Sequence, residues 1–261
     1  MVVGMRLTHP STGLVAWGNA WLTGHVGLDE AADAVERHGG PHVVVGVPGE
    51  DGELPLRRGL GALRVTGLTA LRLALPAPGD PLGLTGPPDF NTAAIDAGEA
   101  VLAAVGERSL GLIPAEDRRG SSYVGTRWEI HDTRQGTPDT PSLPEADHQL
   151  TMVVREATEA LLSVDGGQEW RPEIAEALSA LRESHRHEQV GGLAPGYAAR
   201  AHRVAALASR LAVVVDLARS TENVGLSAAH VQRRAEALRT LDRAVRRARV
   251  AACNSVLDPV R

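Results

Sequence analysis

Lysine is absent from this chain of 261 residues, and all 27 of its cationic residues are arginine. Without lysine, a Schiff-base amine, a lysine general base and the lysine of a phosphate-binding P-loop are all excluded. Asparagine, isoleucine, phenylalanine and tyrosine are also scarce, whereas Ala, Gly, Val, Leu and Arg are abundant. Because the depleted residues share AT-rich codons, we interpret the pattern mainly as the mark of a GC-rich bacterial genome.

Cysteine occurs once, as Cys253, so no intramolecular disulfide can form and thiolate zinc clusters are excluded. The N-terminal segment has no apolar core of signal-peptide length. No stretch approaches the roughly 18 uninterrupted apolar residues that a bilayer-spanning helix needs. These absences predict a cytoplasmic protein that does not cross a membrane, and no motif calls for a cofactor.

Aromatic residues make up only 3% of the chain, although 43% of it is hydrophobic. The core must therefore be built from valine, leucine and alanine. The four tryptophans are the bulkiest side chains available to anchor it.

Proline and charge divide the chain into two halves. Thirteen of the 16 prolines lie at or before Pro144. Residues 1–148 carry 11 arginines and 19 acids, net −8, whereas residues 149–261 carry 16 arginines and 13 acids, net +3. The Pro-rich run 137–144 marks the change and is typical of a linker. We therefore expect two domains, 1–140 and 141–261.

The first half is predicted to form a mixed β-sheet with two helices. The predicted helices cover Asp29–His38 and Thr92–Val105, and the predicted strands cover His42–Val47, Ala62–Thr66, Thr69–Leu75, Leu110–Ile113 and Tyr123–Asp132. The apolar segment Leu14–Leu22 fits a period of two or of nearly four. Five prolines and three glycines exclude regular structure from Pro76–Pro88.

The second half is predicted to form a bundle of about four helices, on which the sheet domain packs. Ser142 and Glu145 have the spacing of a capping box, and Pro172 begins another helix. Apolar residues at alternating spacings of four and three predict two long helices, Tyr197–Arg219 and Ser227–Ala252. They would form an antiparallel hairpin over about 197–252. The class is thus α+β, or α/β.

The predicted strand Tyr123–Asp132 offers the best candidates for catalysis or ligand binding. Alternation places Arg127, Glu129 and His131 on one face, which supplies a cation, an acid and a base. An exposed strand with cross-strand ion pairs would have the same pattern, and we favour that interpretation because no nucleophile can be placed opposite.

Asp89 is a third candidate catalytic residue, because it follows the long Pro/Gly-rich loop and such loops are often functional. The alternative is that Asp89 caps the helix that follows, which is a common position for aspartate.

The last predicted helix carries the densest charge. Its seven arginines accompany only two acids: the arginines are Arg233, Arg234, Arg239, Arg243, Arg246, Arg247 and Arg249. Arg243, Arg246 and Arg247 are the candidate ligand-binding residues, because arginine pairs with phosphate bidentately. The acidic chain, the lack of aromatic residues among these arginines and the lack of a recognition motif argue against nucleic acid as the partner.

No metal site is expected. His185 and His187 are the nearest candidates, but residues two apart point about 200° away from each other on a helix and cannot chelate one ion there.

Three functional hypotheses follow. The leading one is a non-catalytic binding or protein-interaction module, whose C-terminal helices contact a protein partner or a second copy in a homodimer. The second is a hydrolase or transferase of an anionic substrate with its site at the junction of the halves. The third is binding of phosphate or nucleic acid through the arginine-rich helix.

Overall fold

The structure, a computed structural model, describes residues 9–37, 39–119, 123–136, 138–164, 193–220 and 227–257. The described residues fall into two compact units. The first unit is drawn from 1–140, 193–198 and 253–261, and the second from 141–192 and 199–252.

Seven helices and a six-stranded sheet account for the described regular structure, and they confirm the predicted α+β class. In chain order they are α1 (Pro10–Leu22), α2 (Leu28–Glu36), β1 (His42–Val45), β2 (Glu53–Pro55), α3 (Leu56–Val65), β3 (Leu68–Ala74), α4 (Pro88–Ala97), β4 (Ala100–Val105), β5 (Arg108–Arg119), β6 (Tyr123–Thr133), α5 (Leu143–Val164), α6 (Ala199–Ser220) and α7 (Ala228–Asn254). A 3₁₀ turn, Ser255–Leu257, follows α7.

The sheet is mixed, with strand order β2-β1-β6-β5-β4-β3. Strand β1 runs parallel to β6, and every other neighbouring pair is antiparallel. The β5–β6 ladder is the longest, from Ser109 opposite Thr133 to Arg119 opposite Tyr123. Strand β3 forms one edge of the sheet and β2 the other.

Helices cover the two faces of the sheet differently. On one face, α1 packs against β3. Gly18 of α1 lies so close to Leu71 of β3 that a Cβ at Gly18 would collide with the leucine side chain. On the opposite face, Phe90 of α4 packs with Leu102 of β4 and Ile113 of β5. We call this second surface the α4 face.

The core uses the residues that the composition leaves available. Its largest fully buried side chains are one tryptophan and eleven leucines: Trp128, Leu14, Leu56, Leu60, Leu63, Leu68, Leu71, Leu73, Leu75, Leu82, Leu110 and Leu112. Trp17 and Trp21 are only half-buried. The prediction of a core poor in aromatics is therefore confirmed.

The first unit contains four described helices, two more than expected. The ambiguous segment Leu14–Leu22 is helical, as part of α1. Ala62–Thr66 was predicted as a strand, which is wrong, because it lies at the end of α3. The reason is the buried leucine stripe of α3, whose spacing of four and three residues spans Leu56, Leu60 and Leu63.

The predicted helix Thr92–Val105 is correct only in its first half. Helix α4 ends at Ala97, and its C-cap residue Gly98 has φ +74°, a conformation that glycine adopts without steric cost. The following run Ala100–Val105 is strand β4. Because five of its six residues are buried, the strand lacks the alternation of polar and apolar residues that would have identified it.

The second unit follows the predicted helical pattern where it is described. At the start of α5, the Ser142 N–H and hydroxyl donate to the Glu145 carboxylate at 2.9 and 2.7 Å, which lowers the pKa of Glu145. The Arg234 guanidinium of α7 donates to the Ala218 carbonyl near the end of α6 at 2.8 Å. The antiparallel hairpin of these two helices stays a prediction. The helix expected from Pro172 and the link between α6 and α7 lie outside the described residues.

Among the described helices, none combines the length and the hydropathy that crossing a bilayer requires.

Candidate functional site

Two of the residues predicted on β6, Arg127 and Glu129, belong to an ion-pair cluster. The Arg127 guanidinium lies 2.7 Å from the Glu53 carboxylate of β2 and 3.5 Å from that of Glu129. Glu53 also pairs with Arg119, whose pKa is raised by hydrogen bonds to Asp117 and to Glu53. The charges of Arg127 and Glu129 are therefore engaged with neighbouring side chains, as the ion-pair interpretation of this strand requires.

His131 lies on the same face of β6 as Glu129 but has a different environment. Its half-buried ring packs against Phe90 of α4, with the ring centroids 6.0 Å apart. Asp89 is exposed in the first turn of α4, next to Phe90 in sequence. No described contact joins Asp89, Glu129 and His131 into an acid–base pair, so their catalytic role stays a prediction.

The arginine-rich helix α7 is partly engaged within the second unit. The Asp242 carboxylate lies 3.3 Å from the Arg246 guanidinium and 3.5 Å from that of Arg219. Arg243 and Arg247 also make contacts. Phosphate binding by Arg243, Arg246 and Arg247 stays a prediction.

A search of the described residues for groups of three or more His, Cys, Asp and Glu that could hold a metal ion finds none. His185 and His187 lie outside the described residues.

An open groove lies on the α4 face, beside the patch that α4 covers. Its volume is about 340 Å³. Three arginines line it, Arg72 of β3, Arg108 of β5 and Arg134, which follows β6. We call it the arginine groove. Its floor comes from strands β3, β4 and β5, and its wall comes from Thr85 and from residues 134–138 where they are described.

Strand register explains why Arg72 and Ser109 share this groove. One row of paired residues crosses four neighbouring strands: Ala70 of β3, Ala104 of β4, Ser109 of β5 and Thr133 of β6. Residues in register share a face of the sheet. Arg72 is two residues along β3 from Ala70, so its side chain rises from that same face.

The three arginines differ in their pairing. The Arg108 guanidinium lies 2.6 Å from the Asp132 carboxylate, although both side chains are largely exposed. Within the described part of the chain, neither Arg72 nor Arg134 has an acidic partner. No described residue that lines the groove is acidic. The groove therefore presents positive charge that the sheet itself does not neutralise.

Two hydroxyl groups complete the polar lining. Thr133 donates its hydroxyl proton to Ser109 Oγ at 2.8 Å, which leaves the Ser109 hydroxyl proton available to a ligand. The Thr85 hydroxyl donates to the Arg134 carbonyl at 2.9 Å and holds the chain after β6 against the wall. The groove thus offers cations and a hydroxyl donor, a set suited to an anion.

Sequence reasoning missed this site. Arg72 interrupts an otherwise apolar strand, which signals only that one face of that strand is wet. Nothing in the sequence indicates that Arg72 and Arg134, 62 positions apart in the numbering, line one groove, because the strand order that joins them is not readable from periodicity.

Comparison with known proteins places both halves of the chain in one family. A family model described as the N-terminal domain of Rv1486c-like proteins matches residues 11–146. A second, described as their C-terminal domain, matches residues 144–250. The chain belongs to the Rv1486c-like family.

Relatives in mycobacteria resemble the chain over nearly its whole length. It is 30% identical over 291 residues to the uncharacterized protein Rv1486c of Mycobacterium tuberculosis, covering 95% of this chain and 97% of the relative. It is 28% identical over 294 residues to the uncharacterized protein ML1804 of Mycobacterium leprae, with the same coverage. No solved structure matches it.

Proposed function

We propose that this protein is a non-catalytic binding module and that it holds a small anionic ligand in the arginine groove. One observation carries the proposal: Arg72 and Arg134 line one groove, and neither has an acidic partner among the described residues. Most arginines elsewhere on the sheet unit have such a partner, as Arg57, Arg58, Arg118, Arg119 and Arg127 do. An external anion would supply the missing negative charge.

The lining residues support binding without chemistry. Among the described ones, the polar side chains are those of arginine, serine, threonine and glutamine. Arginine does not give up its proton near neutral pH, and a hydroxyl without an adjacent base is a weak nucleophile. The groove therefore offers hydrogen bonds and charge, which hold a ligand but do not move its protons.

The size of the groove suits a small molecule. Its volume of about 340 Å³ falls at the lower end of the range for ligand pockets, which is about 300–1,000 Å³. Alanine and leucine side chains from β3 and β4 form an apolar floor on which the body of an organic anion could lie.

Isothermal titration of the full chain tests the proposal. The probes are inorganic phosphate, benzoate, citrate and a series of dicarboxylates, and we expect saturable binding of at least one. Arg134→Gln removes an exposed cation from the groove and should weaken binding about tenfold, the loss of one charge-assisted hydrogen-bonded pair. Arg72→Gln should have a similar effect.

Arg118→Gln is the matched control. Arg118 is largely exposed, pairs with Glu116 and lies outside the groove, so this variant changes net charge equally without touching the site. Absence of saturable binding for every probe, or equal weakening by Arg118→Gln, would reject the groove as the site. Recovery of a chemically altered probe after incubation would reject the non-catalytic part of the proposal.

Contact with a protein partner or a second copy through the C-terminal helices remains part of the binding hypothesis. Light scattering on the eluting protein at micromolar concentration tests self-association, and a strict monomer rejects it.

A further inference from the structure

We infer that the ligand of the arginine groove carries two anionic groups joined by an apolar body, with Arg72 holding one group and Arg134 the other. The inference rests on the proposed function and adds the charge pattern of the ligand to it. Three features of the groove support it: the separation of the two arginines, the chemistry of the floor between them and the ion pair that engages the third arginine.

The separation follows from the strand order. Arg72 belongs to β3, and Arg134 directly follows β6, with β4 and β5 between those two strands. Neighbouring strands lie about 4.8 Å apart, so the two backbones are about 14 Å apart across the sheet. That distance is too long for both side chains to reach one small anion unless both extend fully toward each other.

Arg134 is held at its own end of the groove. Its side chain runs beside Gly86, where an added Cβ would stand 3.6 Å from the Arg134 Cδ. The backbone N–H of Arg134 also donates to the Gly86 carbonyl at 3.2 Å. The Arg134 side chain therefore projects from the wall of the groove beside Gly86, and not from the centre of the floor.

On β3 and β4, the floor between the two arginines is apolar, whereas Ser109 of β5, nearer to Arg134, carries a hydroxyl. Ala70 and Ala104 face each other across the β3–β4 ladder, and Leu102 lies opposite Arg72. A charged or strongly polar centre of a ligand would lose its hydration over these side chains without gaining a partner. An apolar spacer would instead bury its surface there.

The third arginine adds little net charge. Arg108 precedes Ser109 along β5, so alternation turns its side chain to the opposite face of the sheet, where its guanidinium lies 2.6 Å from the Asp132 carboxylate. The positive charge of the groove is thus concentrated at Arg72 on one side and Arg134 on the other. Guanidinium groups pair bidentately with carboxylates and with phosphates alike, so either group could stand at each end.

Titration calorimetry with linear α,ω-dicarboxylates from succinate to azelate tests the inference on the full chain. Benzoate and inorganic phosphate serve as probes with a single anionic group. We expect the affinity to rise to a maximum within the series, with the best dicarboxylate binding at least about tenfold more tightly than benzoate, because it gains a second charge-assisted pair. Arg72→Gln and Arg134→Gln should each reduce the best dicarboxylate to the affinity of benzoate.

Two other outcomes would overturn the inference, and they are distinguishable. If benzoate or phosphate binds as tightly as the best dicarboxylate and either substitution abolishes both, the two arginines hold one anion; the inference fails and the proposed function stands. If no probe binds saturably, the proposed function itself fails. Arg118→Gln should leave every affinity unchanged, and thermal unfolding of each variant verifies that it is folded.

Discussion

The side-chain amide of Asn254 pairs with both backbone polar groups of Leu73, which lies 181 positions earlier in the chain. Its Oδ1 accepts from the Leu73 N–H at 2.8 Å, and its Nδ2 donates to the Leu73 carbonyl at 3.1 Å. Asn19 pairs with Leu71 in the same way. Its Oδ1 accepts from the Leu71 N–H at 2.9 Å, and its Nδ2 donates to the Leu71 carbonyl at 2.7 Å. The two buried amides thus satisfy part of the outer edge of β3, which no strand covers in the described sheet.

Replacing Asn254 by alanine should destabilise the first unit. The substitution removes two buried hydrogen bonds and leaves the Leu73 N–H and carbonyl without partners, which costs about 2–4 kcal/mol. Asn254→Asp should be at least as harmful, since it keeps an acceptor but sets a carboxylate oxygen against the Leu73 carbonyl. Urea unfolding measures both effects. Gln149→Ala, which removes an exposed amide from α5, is the control, and a loss no greater for Asn254→Ala than for Gln149→Ala would contradict the role of Asn254.

His42 should make stability depend on pH. The Trp128 indole N–H donates to His42 Nδ1 at 3.1 Å, and burial of the ring lowers the pKa of His42 from 6.5 to about 4. The folded state therefore favours the neutral ring. Its contribution is complete above pH 6.5 and is lost as the pH falls from 6.5 toward 4, by about 3 kcal/mol in total.

His42→Asn is the matched variant for that prediction. The Asn Oδ1 can accept from Trp128 as the His42 Nδ1 does, but the amide does not titrate. Unfolding by urea at a series of pH values should show a flatter profile for the variant between pH 6.5 and 4. Glu36 is a neighbouring charged group, whose carboxylate accepts from the His42 backbone N–H at 3.2 Å. An equally steep loss of stability in the variant would assign the pH dependence to groups other than His42.

Glu99 should stabilise the start of α1. Helix α1 has no acidic residue in its first turn and no side-chain hydrogen bond from its N-cap residue, His9. Buried Glu99 takes this role instead: its carboxylate accepts from the Ser11 N–H at 2.9 Å and lies 3.4 Å from His9 Nδ1. Carboxylates are favourable at helix N-termini.

We expect Glu99→Gln to cost about 1 kcal/mol, since an amide oxygen still accepts from Ser11 but the charge is lost. Glu99→Ala should cost about 2–3 kcal/mol, because the Ser11 N–H is then buried without a partner. Denaturant unfolding ranks the two variants, with exposed Glu156→Gln as the control. Equal effects of the two Glu99 variants would rule out capping as the main role of the carboxylate.

Any side chain larger than that of glycine at position 111 should lower the stability of the fold while Phe90 is present. A Cβ at Gly111 of β5 would collide with the Phe90 ring and would also crowd Thr133. Gly111→Ala should therefore cost about 1–3 kcal/mol, the usual range for overpacking. In the double variant Gly111→Ala/Phe90→Leu, thermal unfolding should reveal a total loss smaller than the sum of the single losses. Additive losses would mean that the collision with Phe90 is not the cause.

Several elements were predictable from the sequence because local signals specify them. The capping box fixed the start of α5 at Ser142, and alternation located β6 within one residue at its end. Strand β4 was not predictable, because burial on both faces removes its period, and a continuous apolar run fits a helix equally well. The division into domains at about residue 140 stays a prediction.

The candidate site was predictable only in part. The alternation of Arg127, Glu129 and His131 correctly predicts one face of a strand. The partner that engages Arg127, Glu53, lies two strands away in the sheet, and no local pattern links them. The arginine groove depends in the same way on strands β3 to β6 being neighbours.

The sequence by itself determined the chemistry that is available to this protein: arginine as its sole cationic side chain apart from histidine, one cysteine, and a core of leucine, valine and alanine. It also determined most helices and strands, because periodicity and capping act over a few residues. The tertiary structure decided which charges are neutralised. Strand order placed carboxylates beside Arg108, Arg119 and Arg127 and left Arg72 and Arg134 over one groove, since ion pairing depends on distance in space and not on separation along the chain.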